Sequence, residues 1–184
     1  MLLPANDGPT ALVDRLVEAP GNPGDIVAGL FLASVFFNLR VEAARLAAAG
    51  CRWVANLPCV EQHDGEFTAQ LADVGLDRDR EIAALAAFRE RGFAIAAVVV
   101  DEAGARSAAA IGPNAVIVMP RVGDFAAGFP SLRQRQSAVQ SVARALTASG
   151  WRGPRLGLGE SRDVESRELW PQGLDALLCR PRRW

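Results

Sequence analysis

The chain has 184 residues, 50% hydrophobic and 22% charged, the balance of a folded globular protein. A net charge of −1 leaves no overall field to attract nucleic acid, and the longest apolar run, the eight residues Phe93 to Val100, is too short to cross a bilayer. Disordered, collagen-like and coiled-coil chains are excluded by the same composition.

All 20 basic residues are arginine, alanine supplies 33 positions and tyrosine is absent, a bias expected of GC-rich coding. Without lysine there is no Schiff base and no P-loop phosphate clamp; an anion must be held by arginine or backbone N–H groups. The start, Met1-Leu2-Leu3-Pro4, has no basic stretch leading into a long apolar core, so no secretion signal is read and the cytoplasm is expected. Cys51, Cys59 and Cys179 lack metal-ligand spacing, and the single histidine, His63, cannot build a His-rich centre. No cofactor is specified; Mg²⁺ or Mn²⁺ on carboxylates stays open, because those ions accept oxygen ligands.

Taken in chain order, a helix over Pro9–Glu18 carries Leu12, Val13, Leu16 and Val17 on one face. After the turn cluster Pro20–Gly24 comes a strand, Ile26–Ala33, then a helix, Leu39–Ala49, ended by Gly50. Trp53–Leu57 is the second strand. Some twenty residues, Pro58 to Arg78, then show no clear element, and connections that long are commonly functional. A helix over Asp79–Arg91 ends at Gly92 and precedes the strand Phe93–Val100. The helix Glu102–Ile111 follows, then the strand Ala115–Met119 and the helix Ser131–Ser149, capped by Ser131. The strand Arg155–Leu158, a short helix Asp163–Leu169 capped by Ser161, and the strand Ala176–Cys179 complete the order.

Strands that are continuous in Val, Ile, Leu and Ala are those buried on both faces of a parallel sheet. Their alternation with helices predicts parallel βα repeats with right-handed crossovers, in one domain over residues 1–184. Active sites of such folds form at the C-terminal ends of the strands.

The stretch Trp53-Val-Ala-Asn-Leu-Pro-Cys-Val60, followed by Asp64-Gly65-Glu66-Phe67, Leu71, Gly75, Asp79 and Glu81, resembles the phosphoenolpyruvate hydrolase-like TIM-barrel proteins. These carry N-F-P-T-V at a strand end, then D-G-x-F-R-x-x-L-E-x-x-G, then D-x-E near a helix start. Asn56, Pro58 and Val60 match the first part, Asp64, Gly65, Phe67, Leu71 and Gly75 the second, Asp79 and Glu81 the third. Asp101-Glu102-Ala103, Gly112–Val118 and Leu2-Leu3-Pro4 resemble further segments more weakly. Where the family has H-M-G this chain has Met119-Pro120-Arg121, and where it has C-H-G-G-P this chain has Leu158-Gly159-Glu160-Ser161, so both histidines are missing. A full eight-fold barrel takes about 250 residues. The fold expected here is therefore an incomplete or shortened TIM-type barrel of about six strands.

The resemblance implies a hydrolase or lyase acting on a small carboxylated or phosphorylated metabolite. The alternative is a catalytically inactive relative that binds a ligand, regulates or assembles. Asn56, at a strand end, would orient substrate or simply turn the chain before Pro58. Asp64 would be an acid/base or metal ligand, or the start of an Asp-Gly turn. His63 is a candidate acid/base as the chain's single imidazole, but is also read as an exposed loop residue. Cys59 is the cysteine beside polar loop residues and a candidate thiol nucleophile. Gly157, Gly159 and Ser161 would offer N–H groups to an anion, with Arg121 and Arg162 supplying positive charge. Glu61 and Glu66 are read as solvated charges, and Asp79 and Glu81 as partners of the helix dipole ahead of a catalytic role. Six parallel strands leave open edges, so a homodimer or larger homo-oligomer is expected.

Overall fold

The computed structural model describes residues 8–18, 24 and 26–179. The segment Met1–Asp7, the turn cluster around Pro20 and the basic tail from Arg180 lie outside the described residues. Six strands alternate with helices: α1 Gly8–Glu18, β1 Val27–Gly29, α2 Leu39–Ala48, β2 Trp53–Ala55, α3 Gly65–Asp73, α4 Arg78–Glu90, β3 Ala94–Val99, α5 Glu102–Ala110, β4 Ala115–Val118, α6 Leu132–Ala148, β5 Arg155–Leu158 and β6 Ala176–Leu178. The sheet order is β1-β2-β3-β4-β5-β6, and every neighbouring pair is parallel.

That order decides the shape. Right-handed crossovers that always advance to the next strand place every helix on the same side. The sheet then curls, helices outside, into an incomplete TIM-like half-barrel. Its outer face packs Val54, Ile95, Ala97, Val99, Val116 and Val118 against Leu46, Leu85, Phe88, Val142 and Leu146 of the helices. Its inner face packs Ala55, Ala96, Val98, Ala115 and Ile117, with Trp53, Leu57, Met119, Leu156 and Leu178 partly exposed beside them. Both faces of β3 and β4 are therefore buried, which explains their unbroken apolar sequences. Phe88 and Phe93 meet edge-on at 5.3 Å where α4 turns into β3.

The helix starts follow from side-chain chemistry. Asn38, Asp64, Asp77, Asp101 and Ser131 each accept a hydrogen bond from the first turn of α2, α3, α4, α5 and α6. At the other end, Gly50 and Gly92 take φ of +85° and +87°, a backbone that only glycine adopts without strain.

Three expectations are corrected. The connection from Pro58 to Arg78 is structured: a 3₁₀ turn at Val60–Gln62 and α3 occupy it. Asp64-Gly65 is a cap and a first helical residue, and the helix it opens buries no residue fully. The first strand pairs over three residues only: after the Leu30 N–H takes the carbonyl of Ala55 as the last bond of the ladder, the chain leaves the sheet in a turn closed by Ser34 N–H on the Phe31 carbonyl. The short helix at Asp163–Leu169 is two 3₁₀ turns broken at Ser166, and its first residue is drawn away into an ion pair. No helix among the described residues is long and apolar enough to cross a membrane.

Candidate functional site

The polar groups of the half-barrel gather at the C-terminal ends of β2, β3 and β4. The centre is Asn56, 2% exposed. The β2–β3 ladder starts with Ala94 N–H on the Arg52 carbonyl. Continued in steps of two, it would require an N–H at position 58 for the Val98 carbonyl, and Pro58 has none. The Asn56 side chain supplies the missing groups. Its Oδ1 accepts from Val98 N–H at 2.8 Å, and its Nδ2 donates to the Val98 carbonyl at 3.2 Å.

The second Nδ2 proton goes to Glu81 Oε2 at 3.2 Å, and Val60 N–H donates to Oε1 at 3.0 Å. Glu81 is 1% exposed and lies in the first turn of α4. Burial raises its carboxyl to about 8, against the pull of the Asn56 and Val60 hydrogen bonds. Cys59, 1% exposed, lies in the same layer; burial, then the charge of Glu81, pushes its thiol well above the ordinary value. A thiol held protonated in this way is a poor nucleophile.

Above this layer stands a row of alternating charges. Arg78 at the start of α4 pairs with Glu61 and lies 3.9 Å from Asp101 Oδ1. Arg121 Nη2 donates to Asp101 Oδ2 at 2.8 Å. Glu61 is thus an anchored ion, 11% exposed, not a solvated loop charge. It fits because α5 has no side chain at Gly104: a Cβ there would stand 2.7 Å from Glu61 Oε2. Arg78 Nε is buried with no hydrogen-bond partner.

The remaining candidates are dispersed. Asp64 is exposed and caps α3 through Phe67 N–H at 2.9 Å. His63 is half-buried, its ring edge-on to Phe67 at 5.0 Å, and its Nε2 is buried without a partner. Gly157 and Gly159 make room for packing: a Cβ on Gly157 would lie 2.6 Å from Leu174 Cδ1, and one on Gly159 2.8 Å from Leu177 Cδ1. The loop after β5 already holds an anion of its own. Asp163 Oδ2 accepts from Glu160 N–H at 2.9 Å and from Arg135 Nη1 at 2.8 Å, with both charged side chains at most 5% exposed. Arg135 also donates to the carbonyls of Pro130 and Leu158. Arg162 contacts Glu160 at 2.5 Å and is largely exposed. Ser161 lies in the turn between them and does not cap a helix. Among the described residues, no three His, Cys, Asp or Glu side chains group as metal ligands.

The chain matches no protein-family model. It is 32% identical over 124 residues to the uncharacterized protein y4oT of Sinorhizobium fredii, an alignment covering 67% of this chain and 63% of that one. Among solved structures it is similar to a NadC deletion mutant, with a TM-score of 0.36, 16% identity, and 94% of this chain and 52% of the other covered. It is also similar to nitroalkane oxidase from Streptomyces ansochromogenes, with a TM-score of 0.40, 19% identity, and coverage of 84% and 56%. The chain thus spans less than two thirds of the relative and about half of the structural neighbours.

Sequence reasoning missed Glu61, Arg78, Arg135 and Asp163 as organising charges, and weighed Glu81 between the helix dipole and a catalytic role. The usable signal was position: Glu81 follows the Asp77 cap by four residues, on the face of α4 shared with Leu85 and Phe88, so it points inward.

Proposed function

We propose that the protein handles a small carboxylated or phosphorylated metabolite at the C-terminal mouth of its half-barrel, with hydrolase or lyase chemistry like that of the family its Asn56–Glu81 stretch resembles. One observation supports this most: Glu61, Arg78, Glu81, Asp101 and Arg121 collect at the ends of β2, β3 and β4, where parallel α/β proteins bind ligands. In this reading Arg121 and Arg78 offer unused guanidinium donors to the ligand's oxyanion. Asp64, exposed on the following loop, is the acid/base, and His63 the neighbour that shares its protons. Asn56 and Glu81 hold the end of β2 beneath them. The open edges at β1 and β6 pair between copies in a homo-oligomer working in the cytoplasm.

A second reading is favoured by a different observation. Asn56 spends both amide protons and one acceptor site inside the fold, which leaves one lone pair for a substrate. That suits a relative that binds its ligand, regulates or assembles without turning it over. Thermal stabilisation by pyruvate-type carboxylates and by inorganic phosphate, repeated on Arg121→Gln, tests the site common to both readings. Loss of stabilisation in the variant is expected; equal stabilisation in both proteins places the ligand elsewhere. If turnover is then found, Asp64→Asn separates the readings, because only the enzymatic one requires that carboxylate.

A further inference from the structure

A second polar concavity lies at the opposite rim, independent of the mouth and of the function proposed for it. It measures about 250 Å³ and is lined by Leu146, Thr147, Trp151, Arg152, Gly153 and Arg155. It sits between the last turn of α6 and the start of β5.

Three features make it a built surface. The Trp151 ring is fixed, because its indole N–H donates to the Pro113 carbonyl at 3.0 Å. Gly153 lets the ring lie against the chain: a Cβ there would stand 2.4 Å from Trp151 Cζ2. The Arg155 backbone is pinned by its N–H on Asp175 Oδ2 at 2.8 Å.

The charges differ from those of the mouth. Arg78, Arg121, Arg135 and Arg162 all have carboxylate partners. Arg152 and Arg155 form no ion pair with any described residue, and both line the concavity together with the Trp151 ring. Asp175 meets Arg155 through the backbone, and the Thr147 and Leu146 carbonyls of α6 are taken by Gly150 and Trp151 N–H groups. Guanidinium binds oxyanions through paired N–H donors, and a fixed indole face takes a flat apolar group.

We infer that this rim concavity binds a ligand in which an oxyanion, carboxylate or phosphate, is joined to a flat apolar ring. The ring would rest on Trp151, and the anion would lie between Arg152 and Arg155.

Benzoate and phenyl phosphate are the probes, with benzyl alcohol and inorganic phosphate as the two half-ligands. Binding is followed in the intact chain by the chemical shift of the Trp151 indole N–H. Saturable binding of at least one ring-bearing anion is expected, at least tenfold tighter than either half-ligand. Which of the two anions binds tighter distinguishes carboxylate from phosphate. Arg152→Gln, at an exposed position, and Arg155→Gln should each weaken binding at least fivefold. Arg162→Gln, on the other rim, should leave it unchanged. The inference is overturned if neither ring-bearing anion binds saturably, if benzyl alcohol binds as tightly as benzoate, or if Arg152→Gln binds like the parent protein. Loss of metabolite stabilisation in Arg121→Gln with probe binding intact would leave this site standing on its own.

Discussion

Asn56 and Val98 exchange two hydrogen bonds across a point where backbone pairing has stopped: 2.8 Å into Oδ1 and 3.2 Å out of Nδ2. A side chain there does the work of a strand. Replacing it with alanine strands a buried N–H and a buried carbonyl, each costing about 1–3 kcal/mol. Asn56→Ala should therefore lower unfolding free energy by ~2–4 kcal/mol in urea titration. A loss below about 0.5 kcal/mol would mean that Val98 finds other partners.

Glu81 gives the fold a particular pH response. Its carboxyl is raised from 4.5 to about 8, so between those values the folded chain holds a proton that the unfolded chain has lost. The stabilisation is complete below the unfolded value and disappears as pH rises through the folded one, at up to about 1.4 kcal/mol per pH unit. Stability should thus fall from pH 5 to pH 8. Glu81→Gln, neutral throughout, should flatten the curve; an equally steep curve in that variant would assign the effect to another group.

Gly104 and Glu61 are coupled through space. In an ordinary helix Gly→Ala is stabilising by about 1 kcal/mol. Here the new Cβ would meet Glu61 Oε2 at 2.7 Å and push it off Arg78. Gly104→Ala should be neutral or destabilising in the parent and stabilising in a Glu61→Ala background. A double-mutant cycle reads the change of sign directly.

Arg135 and Asp163 form a buried pair at 2.8 Å. Removing one partner leaves an uncompensated charge, so Asp163→Ala should cost about 3–5 kcal/mol. The Arg135→Met, Asp163→Leu double replacement should recover much of that loss, because it takes both charges out of the core. Thermal unfolding of the two variants makes the comparison.

Much of the fold is readable from the chain because local rules agree. Six apolar runs became six parallel strands, and the cap Ser131 and the stops Gly50 and Gly92 stand where the sequence pattern puts them. The helix at Gly65–Asp73 was hidden because Asp-Gly reads equally as a turn, and Phe67 and Leu71 are only half-buried. The site was less legible. Arg78 and Glu61 are seventeen positions apart, and Arg135 and Asp163 twenty-eight, so their pairing depends on register and helix rotation. Asn56 was singled out by its place at a strand end and by the resemblance, yet its task is set by Val98 on the next strand, which no local pattern reveals.

The unbroken strand order has a consequence for how the molecule assembles. Every strand's partner is the one made just before it or just after it, so each pairing closes a single intervening connection and none must wait for the far end of the chain. Such a sheet grows unit by unit, and a ribosome releasing it from the amino terminus would deliver each unit to a neighbour already in place.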